Sequence, residues 1–302
     1  MEKIDLAVAS YRKPESLIYT ILSLHRQCGR LIDVIYIDDD CSGPECTGLY
    51  TDGRLQKAVE PSRVRVRVNS RRAGYGRTIV TARMVRNSAA RWLLRGLKGG
   101  LHDENDVRYQ WAINSTDKPY LFVMHDDIRF GGDIVSVYLD AVRMRDDIAI
   151  AGDLGQCWRC LEGRVCSPAS IMQGRYPHGY WPLTTSRTGA LPRFYERDCR
   201  INEWCCMLNV GIARKITESD ACYFGNYEDG GDVGAYWFSK IIGKGYGFVD
   251  PLPDSSGRNR YYDHGWQGHS GHSVWVDQGT GRSDYAAGMI RELLKEEFDY
   301  EL

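Results

Sequence analysis

Two short apolar runs, each stopping in a cluster of carboxylates, constrain the fold of this chain more than any other feature. Residues 31–40 read LIDVIYIDDD and residues 119–130 read PYLFVMHDDIRF. Continuous apolar, β-branched or aromatic runs of this length suit strands buried on both faces of a parallel sheet. In open α/β sheets ligands sit outside the carboxyl ends of the strands. Aspartates at two such ends therefore put negative charge where a substrate should lie. Their mutual repulsion is relieved by a hard divalent cation that also meets substrate phosphates. The pattern predicts an enzyme handling a metal-bound nucleotide.

The surrounding chain predicts an α/β alternation. Residues 4–9 read as a strand. Pro14 suits the first position of a helix, Glu15 its first turn, and Gly29 its end, with Leu17, Ile21 and Leu24 at helical spacing. The strand to Asp38 completes a βαβ unit, and DDDCSGPEC reads as a loop. RVRVRV at 63–68 alternates strictly, as a strand with one apolar and one basic face. A helix is predicted over 78–97, a short element over 111–116, a strand over 120–124, a helix over 133–144 and a strand over 148–151. Residues 152–202 show no period. A strand is predicted over 204–213, a helix over 233–242 ended by Gly243, a strand over 246–249, irregular chain over 258–277 and a closing helix over 292–298.

At 302 residues, with 43% hydrophobic and 26% charged residues, the chain is an ordinary globular protein. A net charge of -1 argues against a protein held to nucleic acid or membrane by bulk electrostatics. No stretch reaches the apolar length needed to span a bilayer, and the N-terminus has no signal-peptide pattern. Cytoplasmic residence is the expectation, with peripheral approach to a membrane surface compatible with it.

Three groups of residues carry chemistry. Ser10, Tyr11, Asp38 and Asp39 lie past two predicted strand ends, where a tyrosine can stack on a base and an aspartate accept a base N–H. A helix cap and a solvated turn would use the same residues. His125, Asp126 and Asp127 suit a divalent cation whose sphere is completed by diphosphate oxygens and water. Asp127 would otherwise cap the following helix. Glu228 and Asp229, in YEDGGD at 227–232, either cap a helix or supply a general base. Arg71 and Arg72, in a loop, are placed to reach a diphosphate, Arg71 being the candidate taken, while the other arginines of 63–95 read first as a solvated face. His264 is a late candidate for the metal.

Ten cysteines in a reducing compartment are free, buried or metal-binding rather than disulfide-linked. Cys157 and Cys160 have C-x2-C spacing, and with Cys166 and Cys199 they form a candidate structural Zn2+ set stapling an irregular insert over 152–206. Ordinary buried thiols explain the same residues, Cys205 and Cys206 in an apolar strand above all.

In this order the motifs resemble the inverting family 2 glycosyltransferases of GT-A fold. VASYRKPESLIYTILSL is similar to that family's first strand and helix, VIYIDDDCSG to its "VDDGS" turn, and FVMHDDIRF to its "DxD" metal motif. WCCMLNVGIARKI and NYEDGGDVGAYWFSKIIGKGYGFVDP are similar to its acceptor half. The resemblance implies a Rossmann-like nucleotide-diphospho-sugar transferase fold in one large α/β domain with a mostly parallel sheet. It implies a nucleotide-sugar-binding half (1–130), an acceptor and catalytic half (131–255) and a C-terminal loop and helix (256–302). It further implies base binding by Ser10, Tyr11 and Asp39, Mn2+ or Mg2+ on Asp126, and Asp229, or else Glu228, as the base in an inverting transfer. The donor would be a nucleotide sugar, UDP-linked first, and the acceptor a saccharide, lipid-linked or other hydroxyl. Met124 stands where the family's first metal acid would be. Two alternatives stay open: a nucleotidyltransferase, and a noncatalytic zinc-containing nucleotide or nucleic-acid binder.

Overall fold

A computed structural model describes residues 3–74, 77–154, 200–228, 233–252, 257, 259–264 and 286–302. The fold is mixed α/β with a mostly parallel central sheet, as its alternation predicts. Seven strands form it: β1 (Ile4–Ser10), β2 (Ile32–Asp39), β3 (Arg63–Val68), β4 (Tyr120–Met124), β6 (Ile148–Leu154), β7 (Ile201–Asn209) and β8 (Gly247–Val249). Their order is β3-β2-β1-β4-β7-β6-β8, and β5 (Ile128–Phe130) and β9 (Tyr262–His264) form a separate two-stranded sheet. β1 pairs parallel with β2, β2 with β3, and β6 with β8, while β6 and β7 run antiparallel.

The chain divides into two compact units. The first comprises Met1–Arg72, Phe122–Val137 and Asp254–Leu302, and the second Ala73–Leu121 and Tyr138–Pro253.

In the first unit, β1 and β2 are buried almost throughout, which is why their sequences lack alternation. β3 ends the sheet, and its arginines at 63 and 65 are exposed while Val64 and Val66 are half-buried. Helix Pro14–Cys28 begins with Pro at its first turn and carries His25 and Arg26 in its last, matching the macrodipole. Its apolar residues face the core. Ser16, Thr20 and Ser23 instead meet the chain leaving β4. Ser16 Oγ donates to the Asp126 carbonyl at 2.6 Å, and Thr20 Oγ1 and Ser23 Oγ accept from the Ile128 and Phe130 amides, both at 3.1 Å. The C-terminal helix Ala287–Phe298 packs on the same helix. Ile290 and Leu294 are fully buried, Tyr19 donates to Glu297 at 3.0 Å, and Arg291 Nε meets Glu15 at 3.0 Å.

In the second unit, Trp92 joins Val80, Met84, Val107 and Tyr223 in a core cluster. Asn226 ties two distant segments together, accepting from the Ile79 amide and donating to its carbonyl, both at 2.9 Å. A Cβ on Gly225 would lie 1.9 Å from the Arg108 carbonyl oxygen, so only glycine lets these backbones pair as they do.

Several elements differ from expectation. The predicted strand over 204–213 is β7 followed at once by helix Val210–Asp220, whose start is capped by Asn209 Oδ1 on the Ile212 amide at 3.2 Å. The apolar run LNVGIA crosses that boundary and hides it. The helix predicted over 78–97 is two, Ala82–Asn87 and Ala89–Gly99, with Ser88 between them in an extended φ. The loop after β2 contains helix Pro44–Thr51, entered through Gly43 at φ 99°. The closing helix starts at Ala287, five residues before the predicted 292. Most of the 152–206 insert lies outside the described residues.

Candidate functional site

The carboxyl ends of β1 and β2 are in register, Ala9 opposite Asp38 and Ser10 opposite Asp39. The Asp40 amide donates to the Ser10 carbonyl at 2.9 Å, closing the two ends together. The parallel ladder thus assembles in the first unit residues that are far apart in sequence.

Asp126 and Asp127 follow β4, buried at 6% and 3% exposure, and between them stands Lys13 at 5%. Its ammonium lies 3.0 Å from Asp126 Oδ1 and 3.1 Å from Asp127 Oδ2. Asp126 Oδ2 accepts from Ser10 Oγ at 2.8 Å. Both Asp126 oxygens are therefore engaged inside the protein. Burial by itself would discharge Lys13, but the charges of Asp126 and then Asp127 outweigh it and hold the amine well above its ordinary pKa. Burial likewise opposes ionisation of Asp127. Lys13, then His264 and His125, overcome that and hold its carboxyl well below the usual range.

Asp127 Oδ1 is buried and has no donor in hydrogen-bond geometry. It faces His264 Nε2 at 3.4 Å and His125 Nδ1 at 3.9 Å. The imidazole centroids are 5.6 Å apart, and ligand atoms of His125, Asp127 and His264 all lie within 4.8 Å of one another. Strand β9 places His264 there, since its register opposes His264 to Ile128, next in sequence to Asp127. An orphaned carboxylate oxygen converging with two imidazole nitrogens fits a divalent cation. The mixed nitrogen and oxygen donors suit a first-row transition ion better than Mg2+, which prefers oxygen ligands. The structure thus gathers Asp127, His125 and His264 around this point, whereas Asp126 turns to Ser10 and Lys13.

Tyr11, 6% exposed, has the Arg72 guanidinium 4.1 Å from its ring centroid and that of Arg12 at 5.4 Å. Asp39 is wholly buried and accepts from the Ser42 amide (2.7 Å), Ser42 Oγ (2.6 Å) and Tyr50 OH (2.6 Å). Burial, then Asp39, pushes the Tyr50 hydroxyl well above its ordinary pKa, so it stays a donor. Asp39 here organises the turn after β2. Asp38 lies 3.9 Å from Arg67 Nη1, and Arg71 is exposed in the loop after β3.

Glu228 belongs to the second unit, 2% exposed, and its Oε1 accepts from the Tyr223 amide at 3.4 Å. Asp229 lies outside the described residues, as do Cys157, Cys160, Cys166 and Cys199. Among the described cysteines, Cys205, Cys206 and Cys222 are buried. Burial pushes the Cys206 thiol well up, with Glu203 adding to it.

Lys13 and Tyr50 escaped the sequence reading. Lys13 had one signal: a cation directly before a helix-starting proline, beside the end of the first strand.

No protein-family profile matches the chain, and no curated protein matches it in sequence. Solved structures do. The mannosyltransferase PcManGT from Pyrobaculum calidifontis, in complex with GDP-Man and Mn2+, is similar over 82% of this chain and 54% of its own, at 8% identity and a TM-score of 0.47. The chain thus spans about half the length of that protein. TarS from S. aureus is similar over 97% of this chain and 70% of its own, at 12% identity and a TM-score of 0.42. An active-site mutant of LgtC covers 82% and 72%, at 10% identity and a TM-score of 0.38.

Proposed function

We propose that this chain is a metal-dependent glycosyltransferase that moves a sugar from a nucleotide-sugar donor, UDP-linked first, to an acceptor hydroxyl with inversion. The observation that carries the reading is the convergence of Asp127, His125 and His264 beside Lys13 and Tyr11 at the carboxyl ends of β1, β2 and β4. That is where an α/β sheet offers its ligand site.

The side chains divide the work. Tyr11 offers a ring face to the base, and Arg72, now stacked on it, yields or moves outward as the base enters. Lys13 neutralises part of the Asp126–Asp127 repulsion and fixes Asp127 so that its second oxygen meets the imidazoles. With neutral imidazoles the cluster keeps a formal charge of −1, which favours a cation over a bare phosphate. When bound, a divalent ion there neutralises charge on the departing diphosphate. Asp126, held by Ser10 and Lys13, anchors the turn that presents Asp127. Arg71 is proposed to meet the diphosphate. Asp229, with Glu228 as the alternative, is proposed from the motif pattern to deprotonate the acceptor hydroxyl for attack at the anomeric carbon.

The test is a panel of nucleotide sugars and nucleoside triphosphates with Mn2+, Mg2+ or chelator, with products identified by mass. The expected result is transfer or donor hydrolysis releasing a nucleoside diphosphate, better supported by Mn2+ than by Mg2+. Asp127→Asn and His264→Ala, each removing a direct ligand, should weaken Mn2+ binding by at least about tenfold by calorimetry. Asp229→Asn should lose turnover while keeping donor affinity. Release of pyrophosphate from triphosphates would instead make the chain a nucleotidyltransferase.

A further inference from the structure

From Arg86 to His102 the chain contains four lysines and arginines and no aspartate or glutamate, in a protein of net charge -1. Helix Ala89–Gly99 lies in this stretch. Trp92, 4% exposed, seats it in the core of the second unit, and Gly96 lies close to Val80, Val85 and Leu101. That seating leaves Leu93, Leu94 and Leu97 exposed at 48%, 69% and 73%, with Leu101 just beyond the helix at 49%. At 100° per residue the three helix leucines fall within an arc of about 100°. Arg95 and Lys98, both exposed, lie on the neighbouring arc, with the Arg95 guanidinium 5.5 Å from the Trp92 ring centroid.

Burying these leucines in the core would have been worth about 2 kcal/mol each. A row of them beside a cationic face describes a helix that lies in a lipid interface, leucines among the acyl chains and basic groups at the headgroups. We propose that helix Ala89–Gly99, with Leu101, docks on an anionic lipid bilayer. The charge chooses this occupant. An acid-free basic stretch complements anionic headgroups, and repels a second copy of itself presented face to face. The proposal is independent of glycosyl transfer, because docking is read without donor.

The experiment is flotation of the full chain with vesicles of phosphatidylcholine alone and of phosphatidylcholine with about 30% phosphatidylglycerol. Binding is expected only to the anionic vesicles, weakening as salt rises. The pair Leu94→Ser/Leu97→Ser and the pair Arg95→Glu/Lys98→Glu should each weaken it about tenfold or more, with an unchanged melting curve for the exposed leucine pair and at most a small loss for the basic pair, whose Arg95 also stacks on Trp92. Absence of binding, equal binding to neutral vesicles, or indifference to both pairs would overturn the proposal. So would light scattering that shows the leucine pair abolishing a dimer of the native chain, which would make a second copy the occupant.

Discussion

Lys13 is the residue on which the site balances. Two carboxylates with no more than 6% exposure stand on either side of it, and its ammonium bridges them, holding Asp127 well below the usual carboxylate range. Removing one partner of a buried ionic group leaves the others uncompensated, at a cost of about 3–5 kcal/mol. Lys13→Met keeps the volume and removes the charge. We expect it to lower stability by that amount in urea unfolding. We also expect Mn2+ to raise the melting temperature of the variant more than that of the native chain, since a second cation can then take over part of the neutralisation. Equal metal-induced shifts in the two proteins would mean that Lys13 and the cation site are not electrostatically connected.

At the scale of elements, helix Pro14–Cys28 does more than cover the sheet. Its polar side chains hold the backbone of the chain after β4, and its C-terminal end places His25 against Ser62, 3.3 Å from Oγ. Burial lowers the His25 pKa below its ordinary 6.5, and a backbone hydrogen bond with Val59 offsets this only in part. Below pH 6.5 the unfolded chain therefore binds a proton that the folded chain resists. The stability tied to this imidazole is complete above 6.5 and declines as pH falls through the window beneath it, with a slope of at most about 1.4 kcal/mol per pH unit. His25→Gln should flatten that part of the stability–pH curve, measured by denaturant midpoints from pH 7 down to 5. An unchanged slope would place the titration elsewhere.

For the whole molecule, the first unit is assembled from three separate stretches of chain, and its C-terminal helix closes against its first one. Arg26 stacks on Phe298 with 3.9 Å to the ring centroid, and Tyr19 meets the same ring edge-on at 5.4 Å. Such non-local contacts form only after long loops close. Leu294, wholly buried in that seam, should on truncation to Ala cost about 2–5 kcal/mol, seen as a lower melting temperature. The same variant should also weaken Mn2+ binding at temperatures near the melt, because the helix supporting the Asp127 turn loses its backing. A stable variant would show that the C-terminal helix is peripheral to the unit.

The apolar runs of β1, β2 and β4 and their acidic ends could be read directly, because double-sided burial writes itself as uninterrupted hydrophobicity. Pro14 at a helix start and the strand with a basic face at RVRVRV could be read as well. The boundary at Asn209 and the break at Ser88 could not, since an apolar run crosses the first and helical period the second. Residue type placed aspartates at strand ends. It could not say that Asp39 would be held by Ser42 and Tyr50, that Asp126 would turn to Lys13, or that His264, more than a hundred residues downstream, would arrive opposite Ile128. Burial patterns are local and survive in one dimension. Which oxygen meets which donor depends on strand register and on distant segments closing together, and only the folded chain fixes those.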